Sequence, residues 1–66
     1  MSIGERLQSL RWQSGLYAWQ VGEQIGVKEG HVTEHESKHY KPKLQTLRRY
    51  ARFYNITLSE LLRGVE

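Results

Sequence analysis

The stretch "VGEQIGVKEGHVTEHE", residues 21–36, decides how this chain folds. Val21 and Ile25 stand four residues apart, so a helix stacks them on one side. Gly26 closes that helix and turns the chain. Gly22 lies inside it, at a cost of about 1 kcal/mol against alanine, which predicts a closely crossing neighbour helix. A second helix opens after Lys28, a poor capping residue, with Glu29 complementing the helix dipole. Only Val32 in it is plainly apolar. The reading is a helix over about 18–25, a tight turn, and a helix over about 29–37. A docked but mostly polar helix serves to present its other face.

Outward from this pair the helix signals recur and strand signals are weak. Ser2 and Glu5 form a capping box. Ile3, Leu7 and Leu10 share one helical face, and Gly15 offers a left-handed stop, giving a first helix over about 3–13. Downstream, Pro42 forces residue 41 out of helical geometry. The fourth helix spans about 44–54, with Leu44, Leu47, Ala51 and Tyr54 as its apolar stripe. Tyr50 falls at the edge of that stripe, and Phe53 on the side away from it. Asn55 is a left-handed stop. Thr57 and Glu60 make a second capping box, opening a short last helix that runs to Leu62. The expected fold is all-α, five short helices in one domain over 1–66.

Sixty-six residues bury only a thin core, worth about 3–5 kcal/mol without a staple. With no cysteine, neither disulfides nor thiolate metal sites are available. No apolar run approaches the ~20 residues that cross a bilayer, and no signal peptide opens the chain. A cytoplasmic protein without a membrane partner is expected. The net charge is +3, unevenly placed. Residues 38–52 hold Lys38, Lys41, Lys43, Arg48, Arg49 and Arg52 and no acid, leaving four bases against seven acids elsewhere. A localised basic segment points to a polyanionic partner, and a solvated helix face is the plainer alternative.

Five short helices with a tight turn between the second and third make a helix-turn-helix layout. The segments "IGERLQSLR" (3–11), "VGEQIGV" (21–27), "HVTEHE" (31–36), Pro42 followed by "LQTLRRYA" (44–51), and "NITLSELL" (55–62) resemble the Xre/Cro-type family of lambda-repressor-like DNA-binding domains. Their order and spacing carry the resemblance, which covers about 3–62. It implies a structural ion pair between Arg11, late in the first helix, and Glu36, at the end of the reading helix. It also implies association through the last helix. The sequence departs from the family pattern at Lys28, where a serine or threonine cap is usual. Ala18 stands where a phosphate-holding glutamine is usual, with Gln20 two residues on. Gly22, His35 and Lys38 replace the usual alanine, apolar residue and glycine.

With Val32 facing the core, Lys28, Glu29, Gly30, Thr33 and Glu34 are the outward candidates for reading bases. Glutamate accepts from cytosine N4, threonine meets a thymine methyl, and glycine allows close approach. Acids on such a helix repel phosphate and so disfavour non-cognate DNA. Affinity is then expected from Gln20, Ser37, Lys38, Lys41 and Lys43, the candidate phosphate contacts. Alternatively the acids have ended DNA binding, and the domain is a protein-binding module that antagonises another regulator.

"HVTEH" (31–35) matches the H-x-x-E-H pattern of metalloproteases. A zinc enzyme needs a third ligand, an open site and a walled cleft, which so short a chain does not offer. Three partly exposed histidines, His31, His35 and His39, are the expected arrangement, with no metal, no cofactor, no small-molecule substrate and no catalysis. Arg48, Arg49, Tyr50, Arg52, Phe53 and Tyr54 interleave bases with aromatics, as single-strand binders do, but helical spacing favours a structural role. Trp12, Tyr17 and Trp19 add an apolar patch of the kind that marks a partner surface. Together these features point to a sequence-specific regulator of double-stranded DNA, most simply a repressor. It is expected to bind a two-fold-related operator as a weak homodimer, with Leu58, Leu61, Leu62 and Val65 as the dimer candidates.

Overall fold

The computed structural model describes residues 1–66 and contains five helices and no strand. Helix α1 spans Ile3–Ser14, α2 Ala18–Ile25, α3 Glu29–His35, α4 Leu44–Phe53 and α5 Leu58–Leu61. Both capping boxes form. Ser2 Oγ accepts from the Glu5 amide at 3.1 Å while Glu5 Oε1 accepts from the Ser2 amide at 3.0 Å. Thr57 and Glu60 repeat the exchange at 3.0 and 3.1 Å. These bonds hold the Glu5 and Glu60 carboxylates below their usual pKa. Gly26 takes φ 83° and Asn55 φ 57°, so the chain turns left-handed after α2 and after α4.

The core is built from Ile3 and Leu7 of α1, Val21 and Ile25 of α2, Val32 of α3, Tyr50 and Ala51 of α4, and Leu61 of α5. Each helix therefore gives one or two apolar side chains, as a chain of this size must. Tyr50 is fully buried, against the expectation that it would lie at the edge, and Tyr54 is half-buried behind it. Leu44, expected in the stripe, is 52% exposed because it opens α4 beyond the reach of the core. Phe53 is half-buried, its ring edge-on to Tyr54 with centroids 4.9 Å apart.

Helix α3 is shorter than the sequence predicts. Its last turn tightens: the Glu36 amide still donates to Val32 O, but the Ser37 amide donates to Glu34 O, three residues back. Helical geometry ends at His35. Gly22 has the packing reason its cost required, though the close neighbour is the turn itself. A Cβ there would stand 2.6 Å from Val27 O and 3.4 Å from Val32 Cγ2. The turn folds back against α2, and α3 follows it.

Candidate nucleic-acid interface

Helix α3 has seven residues, too few to persist alone. Its position is fixed from both ends. At the start, Val27 O and the Glu29 amide lie against Gly22. At the end, three attachments converge. Arg11 Nε donates to Glu36 Oε2 at 2.8 Å and Arg11 Nη2 to Oε1 at 3.0 Å, a two-pronged ion pair. Arg11 Nη1 donates to Leu16 O at 3.0 Å. The Glu36 bonds raise the already high guanidinium pKa, and Glu36 is buried with its carboxylate fully engaged. Gly4 packs against the Ser37 and Glu36 carbonyls so closely that any side chain would collide with backbone.

The third attachment was not expected. His35 is only 6% exposed, and its Nδ1 lies 2.9 Å from the Tyr50 hydroxyl. Tyr40 stacks on the imidazole at 5.4 Å between centroids. The reading of three partly exposed histidines fails for His35, because it occupies the apolar position three residues after Val32. That spacing was the signal available in sequence. Burial holds the His35 pKa below its ordinary value, partly opposed by Glu34 and Glu36 and assisted by His31. With Nδ1 engaged and His31 6.4 Å away between centroids, the H-x-x-E-H pattern has no convergent ligand set. No group of three or more histidine, cysteine or carboxylate side chains is placed to hold a metal ion.

The opposite face of α3 is bare. Lys28, Glu29, Gly30, Thr33 and Glu34 all lie open to solvent, and Val27 in the turn before them is half-buried. Thr33 Oγ1 donates to Glu29 O at 3.2 Å, which engages its proton and leaves its methyl and lone pairs. A Cβ at Gly30 would meet nothing within 4 Å. Between α2 and α3 lies an open hollow of about 490 Å³, lined by Gly22, Glu23, Gly26, Val27, Lys28 and His31.

Beyond α3 the chain runs over Ser37, Lys38, Lys41 and Lys43, all exposed, with buried Pro42 anchoring the loop. The lone ion pair of the structure is Arg11–Glu36, so none of these lysines is matched to a carboxylate within 4 Å. Gln20 is engaged in the fold. Its Oε1 accepts from the Tyr17 amide at 2.8 Å and caps α2. Only its amide NH₂ remains for a phosphate. The basic segment of the sequence is divided in space. The lysines lie in the loop after α3, whereas Arg49 and Arg52 face α2 across a separate hollow.

Among the dimer candidates, Leu61 is withdrawn: it is fully buried in the core and has no surface to offer. Leu62 is 37% exposed, and Leu58 and Val65 are half-buried. Leu62 and Val65 share a hollow of about 230 Å³ with Tyr40, Pro42 and Leu47.

No family model matches the chain. Two curated proteins are similar to it over all 66 residues, each at 33% identity. One is the HTH-type transcriptional activator BcrR of Enterococcus faecalis, of which the match covers 32%. The other is the HTH-type transcriptional regulator DdrOP3 of Deinococcus deserti, of which it covers 51%. The chain is similar to helix-turn-helix transcriptional regulators. It spans about a third and about a half of the lengths of these two. The likeness supports a helix-turn-helix family, and the five-helix architecture is compatible with a small helix-turn-helix domain. No helix is long and apolar enough to cross a membrane.

Proposed function

We propose that this chain is a single DNA-binding domain of the Xre/Cro type that regulates transcription in the cytoplasm. Helix α3 enters the major groove, where Lys28, Glu29, Gly30, Thr33 and Glu34 meet base edges. Lys38, Lys41 and Lys43, with Ser37 and the Gln20 amide, hold phosphates on either side. The observation that carries this reading is the contrast on α3, whose inner face is locked to three helices while its outer face is bare beside unpaired lysines. The names of the two relatives support it. Repression is the proposed sense, because occupancy of an operator is sufficient for it and needs no second surface.

The domain measures 26 × 24 × 22 Å, smaller than the ~34–36 Å between adjacent half-sites. Two copies can therefore sit side by side and touch only at their edges. Leu58, Leu62 and Val65 form that edge, and so slight an interface gives a weak dimer that the two half-sites strengthen. Sedimentation on a palindromic duplex should show two chains per duplex, and Leu62→Glu should abolish the cooperativity. A saturated one-to-one complex would reject the dimer.

The deciding experiment is selection from random duplexes, followed by salt titration of the enriched site. Lys41→Ala and Lys43→Ala should each weaken binding to every duplex and shallow the salt slope by about one unit. Glu29→Ala and Thr33→Ala should alter sequence preference instead. The exposed acids Glu29 and Glu34 favour a second reading, a protein-binding module of the same fold. Failure to enrich any motif at low salt would reject the first reading and favour the second.

A further inference from the structure

Helix α2 has two flanks, and on the second the candidate interface uses only Gln20. On the Gly22 side it meets the turn and α3. On the Gln24 side it meets α4, and the two helices do not close over one another. Two adjoining hollows remain there. One, of about 410 Å³, is walled by Leu16, Trp19, Gln20, Glu23, Gln24 and Phe53. The other, of about 290 Å³, is walled by Gln24, Ile25, Arg49, Arg52 and Phe53. Gln24 and Phe53 are common to both, so the two hollows adjoin, one holding Leu16 and Trp19 and the other the two arginines; together they are termed the channel.

Trp19 is 49% exposed, a large apolar area to leave in water. Arg49 and Arg52 are exposed, three residues apart on one helix, and neither is paired with a carboxylate. Tryptophan and arginine are the side chains that dominate protein–protein interfaces. Guanidinium groups recognise carboxylates with directional, paired hydrogen bonds. We propose that the channel between α2 and α4 docks a polypeptide segment carrying an apolar anchor beside carboxylates. The anchor lies against Leu16, Trp19 and Phe53, and the carboxylates lie on Arg49 and Arg52.

The same arginines would also attract a nucleic-acid strand, and one observation favours the polypeptide. Glu23 stands at the tryptophan end, where a phosphate backbone continuing along the channel would meet a negative charge. An acidic peptide can end its charges at Arg49 and Arg52 and present only apolar atoms beyond. The tryptophan end shares Gln20 with the proposed phosphate contacts and Glu23 with the hollow beside α3, whereas the arginine end shares no residue with either, so a segment seated on Arg49 and Arg52 and a duplex on α3 bind together.

The probe is a random-peptide display library selected on the whole 66-residue chain, with enriched peptides measured by fluorescence anisotropy. Enriched peptides should carry an aromatic or leucine residue beside Asp or Glu. Their affinity should fall about tenfold or more on Arg49→Glu, on Arg52→Glu and on Trp19→Ala. Lys41→Ala should leave it unchanged. Both arginine variants change exposed positions and should keep the wild-type melting curve, which separates loss of docking from loss of fold. Addition of the selected duplex should leave the peptide bound in a ternary complex. Peptides that lack acids, or that bind both arginine variants at full strength, would overturn the proposal. Displacement of the peptide by DNA would overturn it too, by assigning the arginines to nucleic acid.

Discussion

On its inner side α3 gives Val32 to α2, His35 to Tyr50 of α4, and the adjoining Glu36 to Arg11 of α1. On its outer side Glu29, Gly30, Thr33 and Glu34 are exposed, and the one side-chain bond among them, from Thr33 to Glu29 O, stays within the helix. A seven-residue helix with one buried aliphatic residue cannot be oriented by apolar burial, which is non-directional. Here directional polar bonds orient it, two to a guanidinium and one to a phenol. The division explains how an acidic outer face persists on a docked helix. No outer side chain is hydrogen-bonded or ion-paired to another helix, so these residues are open to a partner.

The sharpest way to break the contrast is to remove the strongest inner attachment. Arg11→Ala leaves the Glu36 carboxylate buried without its partner and also frees Leu16 O. Loss of one member of such a pair costs about 3–5 kcal/mol, a large part of the stability of a small domain. Urea unfolding should show the folded state barely populated at room temperature. A curve superimposable on wild type would mean that α3 is held by something else.

The two tyrosines of α4 and its C-terminus give a finer comparison, since they stack 6.4 Å apart in one core and differ in whether the hydroxyl has a partner. Tyr50 bonds His35, whereas the buried Tyr54 hydroxyl has none. Burial holds Tyr50 above the usual phenol range and pushes Tyr54 up to about 12, so both stay neutral. Tyr50→Phe should cost about 1–3 kcal/mol, because it strands the imidazole nitrogen. Tyr54→Phe should be neutral or stabilising, because it deletes an unsatisfied group. Equal losses at the two positions in chemical denaturation would show that ring packing, not the hydroxyl, governs both.

The helix starts, both capping boxes and the left-handed stops were legible in sequence because they depend on neighbours within about four residues, whereas the tightened end of α3 was not. Arg11 and Glu36 were paired only through the family resemblance, since a contact across 25 positions has no local signature. His35 and Tyr50 were misjudged for a related reason. Each is polar enough to read as surface, and only together does the pair become a satisfied buried unit. Gly4 was overlooked because a glycine near a helix start looks permissive until the chain that crosses it is known. The division of the basic segment into a lysine loop and an arginine channel was likewise invisible, because linear charge says nothing about which helix faces which.

Protonation probes the His35 attachment more gently than substitution. The folded-state pKa of His35 lies below its ordinary 6.5, chiefly through burial. Below about pH 6.5 the unfolded chain takes up a proton that the folded chain resists, so stability falls as pH drops towards the folded pKa. Well above 6.5 both states are neutral there and the contribution is full. Thermal melting should therefore decline from about pH 7 towards mild acid, and His35→Gln, which does not titrate, should flatten that part of the profile. A wild-type profile as flat as that of the variant would place the imidazole in water.

The smallest effect is expected on the outer face, at Gly30. Its Cβ position is empty to 4 Å, and it is the second residue of α3. Alanine there should raise stability by about 0.5–1 kcal/mol through helix propensity, the lower figure being favoured near a helix start. Every inner substitution that removes a bond lowers stability, so Gly30→Ala reverses the sign. Under the proposed function the added methyl also stands between α3 and the base edges. Affinity for the selected duplex should then fall by about tenfold, or ~1.4 kcal/mol, while binding to random duplex at low salt is little changed. A more stable variant with weaker specific binding fits a face kept bare for close approach. A more stable variant with undiminished binding would remove Gly30 from the interface and leave its cost to the fold unexplained.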